Sequence, residues 1–165
     1  VYTRDQFSER IFAHIGKFQD PRRPAIQWEP GSRDWFIMRL GDTYLLRAEA
    51  RFKLGNLTGA AADINVIRTR AAFPGKEANM QITAGDVTLD FILDERAREL
   101  DAEQCRWYDL TRTGTLVDRV KLYNPQGAAS VSPHHVHRPI PETQIDRTLG
   151  GYEQNCGYPG GPSCN

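Results

Sequence analysis

Phe36-Ile37-Met38-Arg39-Leu40-Gly41-Asp42-Thr43-Tyr44-Leu45-Leu46-Arg47-Ala48-Glu49-Ala50-Arg51-Phe52-Lys53-Leu54-Gly55-Asn56 decides the architecture of this chain. Within it Ile37, Leu40, Tyr44, Ala48 and Phe52 recur at steps of three and four, the spacing that lines one face of an α-helix. Asp34 is placed to cap that helix, and Gly55-Asn56 ends it, because glycine takes the left-handed conformation of a C-cap at little steric cost. A second stripe follows at once in Ala60, Ile64, Ile67 and Ala71. Two helices joined by so short a turn must pack antiparallel, as a helical hairpin.

Ala48, Gly55 and Ala60 stand at the offsets where a tetratricopeptide repeat places its small residues, and Pro74 closes the second helix as that pattern requires. A single hairpin of this kind cannot bury its apolar face, so another element must cover it. A third helix is predicted from Thr83, with Thr83 and Asp86 as a capping pair, through Leu89, Ile92, Leu93 and Leu100. A shorter helix holds Trp107, Leu110 and Thr111 and ends at Gly114; Leu116, Val120 and Tyr123 add another turn or two before Asn124-Pro125. Beyond Asn124 the sequence is rich in Gly, Pro, Ser and His; Pro139-Ile140-Pro141 is extended, and Glu142 to Ile145 makes a helical turn. The expected fold is therefore all-α, with tetratricopeptide-like helical hairpins and a long coil-rich carboxy-terminal segment. It is read as one domain over 1–165, with an irregular segment 1–33, a helical core 34–114, and a short helix and loop-rich tail 115–165. The chain starts without a targeting segment and is expected to be a fragment of a longer protein.

The 165 residues carry 21 basic and 21 acidic side chains, so nothing in the balance draws the chain to nucleic acid or anionic lipid. No apolar run approaches the roughly 20 residues needed to cross a bilayer. Of the three cysteines, Cys105 lies in a helical stretch, while Cys156 and Cys164 sit in flexible sequence where a disulfide can close; two free thiols are the alternative.

Glu95, Glu99 and Glu103 share a helix face at i, i+4 spacing, a like-charge row that needs neutralising cations. Arg96, Arg98, Arg106 and Arg112 are near in sequence, and Asp94 to Arg98 has the favourable order for a helix pair. The acids read as an internal ion network of Glu95, Arg96, Glu99, Glu103, Arg106 and Asp109, against a glycosidase pair of carboxylates. His134, His135 and His137, if extended, place two imidazoles on one side, yet no nearby acid or cysteine completes a metal set, and no metal or cofactor is expected. Serine-nucleophile patterns, phosphate-cradling glycine loops and HExxH are absent from the sequence. Sugar binding asks for an aromatic face with polar groups beside it. Trp28, between Gln27 and Glu29, is the first choice, and Tyr123 beside Asn124 the second; Trp35 and Trp107 flank helices and read as core.

The run Arg39 to Ala50, Gly55-Asn56-Leu57 with Ala60-Ala61, and Asn65 to Ala71 resemble the carboxy-terminal region of the SusD/RagB family. So do Ile92 to Leu100 continuing to Glu103, Arg106-Trp107-Tyr108-Asp109-Leu110 with Arg112-Thr113-Gly114, Pro139-Ile140-Pro141, and Gln154-Asn155-Cys156-Gly157-Tyr158. The resemblance implies a lipid-anchored, surface-exposed protein of the bacterial outer membrane. Such a protein binds a neutral oligosaccharide without chemistry and presents it to a SusC-like TonB-dependent transporter. Cys105 stands where the family often has glycine, and the tail beyond Tyr158 is longer than the family pattern. The matched motifs are mostly scaffold, so the resemblance carries no glycan site across residue by residue. A helical-hairpin adaptor that recognises a protein partner is the alternative function.

Overall fold

The computed structural model describes residues 3–8, 10–12, 15–25, 27, 31–103 and 105–164. Among these residues the regular structure is all helical, with no strand. The chain divides into two compact units, Val1–Arg106 and Trp107–Asn165, a division that falls inside the stretch 34–114 read from the sequence as one helical core.

The first unit is built on α1 (Leu40–Lys53) and α2 (Leu57–Ala71). Their turn closes as the sequence required: Gly55 has φ +76°, its N–H donates to Phe52 O (2.9 Å), and Asn56 N–H donates to Arg51 O (2.8 Å). That pair of bonds satisfies the last carbonyls of α1. Asn56 then starts α2, its side chain accepting from Gly59 N–H at 2.8 Å. A single turn, α3 (Glu77–Met80), and a 3-10 turn (Ala84–Asp86) lead to α4 (Leu89–Glu99). Leu45 and Ala48 of α1, Ala60, Ala61, Ile64 and Ile67 of α2, Val87, and Ile92 of α4 form one buried cluster. The third helix thus covers the hairpin, and the small residues Ala48 and Ala60, both at 0% exposure, let the backbones approach.

Two boundaries differ from the sequence reading. Helix α1 starts at Leu40, not near Phe36 behind an Asp34 cap: Arg39 is extended at φ −138°, ψ 164°, its guanidinium drawn to Glu99 and Glu103. Only the amino-terminal end of the predicted stripe misses the core: Ile37 is 96% exposed and Leu40 69%, whereas Ala48 lies in the core with Tyr44 and Phe52 packed against it. The buried residues of α1 are Gly41, Asp42, Leu45, Ala48 and Glu49. Likewise the Thr83–Asp86 capping box forms, with Thr83 N–H donating to Asp86 Oδ2 at 2.8 Å, but it closes only the 3-10 turn. Val87 leaves helical geometry to bury its side chain, and Thr88 caps α4 afresh by accepting from Phe91 N–H (3.1 Å). Asn65 holds this connection in place, since its amide both donates to Ile82 O and accepts from Ile82 N–H, each at 2.9 Å.

The second unit contains α5 (Arg106–Arg112) from Trp107 onward, α6 (Leu116–Tyr123), α7 (Pro125–Ala128) and α8 (Glu142–Arg147), with Leu110 and Leu116 buried. The His134–His137 segment is not extended: Pro133–Val136 is a 3-10 turn in which His135 Nδ1 accepts from Ser132 N–H at 2.9 Å, so the same-side geometry for a shared metal is lost. Two sequence blocks far apart in the chain meet here. Gln154 brackets Ile140 with bonds of 2.7 and 2.8 Å, Asn155 donates to Arg138 O (2.6 Å), and the Tyr158 hydroxyl donates to His137 O (2.8 Å).

Cys156 and Cys164 are bonded, with Cα atoms 5.0 Å apart, and Cys105 stays a thiol whose Sγ donates to Glu103 O at 3.3 Å. Unreduced, denatured protein should accordingly take up one equivalent of a thiol alkylating reagent per chain, and three after reduction. Mass spectrometry reads the difference; three equivalents without reductant would disprove the bridge.

Candidate functional site

The acids of α4 and the residues after it are met by cations from other parts of the first unit. Glu95 Oε2 accepts from Arg68 Nη1 and Arg98 Nη2, both at 2.8 Å. Glu99 accepts from Arg39 and from Arg70 Nη2 (2.7 Å), and Glu103 from Lys17 Nζ (2.6 Å) and Arg39 Nε (2.8 Å). Arg96, 3% exposed, pairs with Asp42 on α1 at 2.8 Å. Arg98 thus pairs with Glu95, and the cations nearest in sequence are mostly not the partners of the acid row. Arg106 Nη1 donates to Leu93 O (2.6 Å), and Arg112 pairs with Asp109 at 2.9 Å within α5.

These pairings decide what the acids can do. Burial pushes the Glu103 carboxyl up, but hydrogen bonds and charge from Arg39 and Lys17 outweigh burial and hold it below the usual carboxylate range. A carboxyl so held is not a general acid near neutral pH. Lys17 and Arg39 also donate to Glu99 O, filling the role of a C-cap for α4. Gly41 lies against this cluster: a Cβ there would lie 2.6 Å from Arg39 Nη1 and 2.9 Å from Glu99 Oε1, so the ends of those two side chains would have to shift.

An aromatic hollow lies elsewhere in the same unit. It encloses about 770 Å³, and its lining includes Phe12, Phe18, Asp20, Arg23, Arg33 and Trp35. Trp35 is not core, as the sequence reading had it. It is 56% exposed and stacks on Phe18 with ring centroids 3.9 Å apart and planes 14° from parallel. Asp20 ties the rim together: its carboxylate accepts from Arg22 N–H (3.0 Å), Ser32 N–H (2.9 Å) and the Ser32 hydroxyl (3.2 Å). The backbone donors of Arg22 and Ser32 lower its pKa to about 2, against the opposing effect of desolvation. A flat aromatic face beside fixed polar groups can stack a pyranose and take its hydroxyls.

Of the residues singled out for sugar contact, Trp28 lies outside the described residues. Tyr123 is 61% exposed with the Arg119 guanidinium 5.3 Å from its ring centroid, and Asn124 uses its side-chain oxygen to cap α7, accepting from Gly127 N–H at 3.0 Å. Sequence reasoning missed the Phe18–Trp35 stack, since 17 residues separate the two rings and no periodicity links them.

The sequence profile of the SusD family matches residues 3–158, well over half of the chain. The chain belongs to the SusD family. Starch-binding protein SusD of Bacteroides thetaiotaomicron is 35% identical over 126 residues, covering 74% of this chain and 21% of that protein. SusD-like protein P25 of Formosa agariphila is 34% identical over 120 residues, 68% of this chain and 22% of its own, and SusD-like protein P38 of the same organism 39% over 87 residues, 50% and 17%. The chain spans about a fifth of the length of these curated relatives. No solved structure matches it significantly. Within the SusD frame, the blocks that carried the resemblance fall on the α1–α2 hairpin, on α4 with its ion pairs, on α5 and on the clamp between Ile140 and Gln154. All are packing or bracing elements.

Proposed function

We propose that this chain is part of a glycan-capture protein that binds an oligosaccharide at the bacterial cell surface without altering it and passes it to a SusC-like TonB-dependent transporter. The observation that carries the reading is membership of the SusD family, with a starch-binding protein among the relatives. The half-exposed Trp35 held against Phe18 supplies the kind of surface such capture needs. The acids that invited a hydrolytic reading support capture instead, because Glu95, Glu99 and Glu103 each hold two cationic side chains. Lipid anchoring at the outer membrane belongs to the same reading. Among the described residues no helix is long and apolar enough to cross a membrane.

Calorimetric titration of this chain and of the full-length protein against plant and host oligosaccharides tests the reading. Saturable binding is expected, with the sugar recovered intact by chromatography, and the full-length protein is expected to co-purify with the transporter. A full-length protein that binds no glycan while docking a protein partner would overturn it in favour of an adaptor.

A further inference from the structure

We infer that the hollow beneath Trp35 is a subsite for an acidic saccharide, whose ring lies on the indole while its carboxylate or sulfate is taken by Arg33. The inference rests on the glycan-capture reading and narrows its ligand class. Three observations lead to it.

The first is a platform built before any ligand arrives. Phe18 braces one face of the Trp35 indole at 3.9 Å, yet Trp35 remains 56% exposed. An aromatic surface fixed in this way loses little freedom when a sugar stacks on it. The volume of about 770 Å³ lies within the range of pockets that hold small ligands, ~300–1,000 Å³.

The second is the charge of the rim. Among the described residues that line the hollow, Arg33 faces a single acid, Asp20. That acid is committed to the rim itself, since the Arg22 backbone and guanidinium and both donors of Ser32 converge on it. The Arg22 guanidinium, 3.4 Å from Asp20 Oδ1, answers its charge.

The third is the state of Arg33. Its Nη1 donates to Gln19 O at 3.0 Å, a neutral backbone oxygen, and among the described residues it makes no ion pair. The bond to Gln19 points the guanidinium without neutralising it. A planar guanidinium oriented by one edge presents its remaining donors to a second acceptor. Carboxylate and sulfate match that fork far better than a sugar hydroxyl does.

The test titrates the chain with three probes: oligogalacturonate, a sulfated galactan oligosaccharide and maltoheptaose. Wild-type protein is compared with Arg33→Ala, Arg33→Lys and Trp35→Ala, with far-UV circular dichroism and thermal melts confirming that each variant folds. At least one acidic probe is expected to bind about tenfold or more tightly than maltoheptaose, weakening as salt is raised. The sulfated and carboxylated arms tell which anion is preferred. Arg33→Ala should remove about tenfold of the affinity for the acidic probe, and Arg33→Lys should recover only part of it. Trp35→Ala should abolish measurable binding. Maltoheptaose binding as well as or better than both acidic probes would overturn the inference and leave glycan capture standing. Acidic binding untouched by Arg33→Ala in a folded variant would also overturn it. No binding of any probe by this chain or the full-length protein would count against the capture reading itself.

Discussion

Arg96→Met is expected to lower the stability of the first unit by about 3–5 kcal/mol, the cost of stranding a buried charge. Arg96 is 3% exposed and Asp42 8%, and the two meet at 2.8 Å between α4 and α1. Methionine fills a similar volume along the stem, so the loss comes from the Asp42 carboxylate left in a dry site without its cation. Against a total of roughly 5–15 kcal/mol for a domain, such a change removes a large share of the folded population. The double variant Asp42→Ala with Arg96→Met should recover most of the loss, because the stranded Asp42 carboxylate is then gone. Urea denaturation of the single and double variants measures both effects. An Arg96→Met midpoint equal to wild type would show that the pair is not a brace.

Ile64→Ala comes next in size, at about 2–5 kcal/mol, combining lost burial with the cavity left behind. Ile64 is 0% exposed and belongs to the cluster that joins α1, α2 and α4 through Leu45, Ala48 and Ile92. None of those neighbours can follow the receding side chain without breaking its own contacts. Ile64→Val, which removes one methylene, should cost only about 0.5–1.5 kcal/mol. Ile37→Ala is the informative control. Sequence periodicity put Ile37 on the same kind of apolar stripe, yet it is 96% exposed, and its truncation should shift stability by no more than about 0.5 kcal/mol. Equal losses for Ile64→Ala and Ile37→Ala in thermal melts would contradict the placement of the core.

The helical hairpin was legible because its signals are local. Apolar residues at steps of three and four, a glycine able to take φ +76° and an asparagine ready to cap the next helix are read within 35 residues of chain. The same local signals misplaced the start of α1. Periodicity says that a stripe exists, and its Tyr44, Ala48 and Phe52 do meet the core, but the helix begins only at Leu40, where Arg39 reaches to Glu99 and Glu103, so Ile37 falls outside it. The Thr83–Asp86 capping box was likewise real and misleading, for it forms in a single turn as readily as at the head of a long helix.

The candidate sites divide in the same way. That Glu95 and Glu99 need cations follows from helix geometry alone, since like charges at i, i+4 repel wherever the helix sits, whereas Glu103 lies past the end of α4 and joins the row only through Arg39 and Lys17. Which cations serve them does not follow: Lys17, Arg39, Arg68 and Arg70 are brought up by the packing of α2 and the irregular amino-terminal stretch, from 27 to 86 residues away. The stack of Phe18 on Trp35 was invisible for the same reason. The sequence by itself determined the all-α hairpin, its turn and the family, because these depend on neighbours along the chain. Only the tertiary structure decided which face of each helix is buried, which arginine answers which acid and which tryptophan stays open to a ligand, because those depend on groups that meet in space after the chain has folded back on itself.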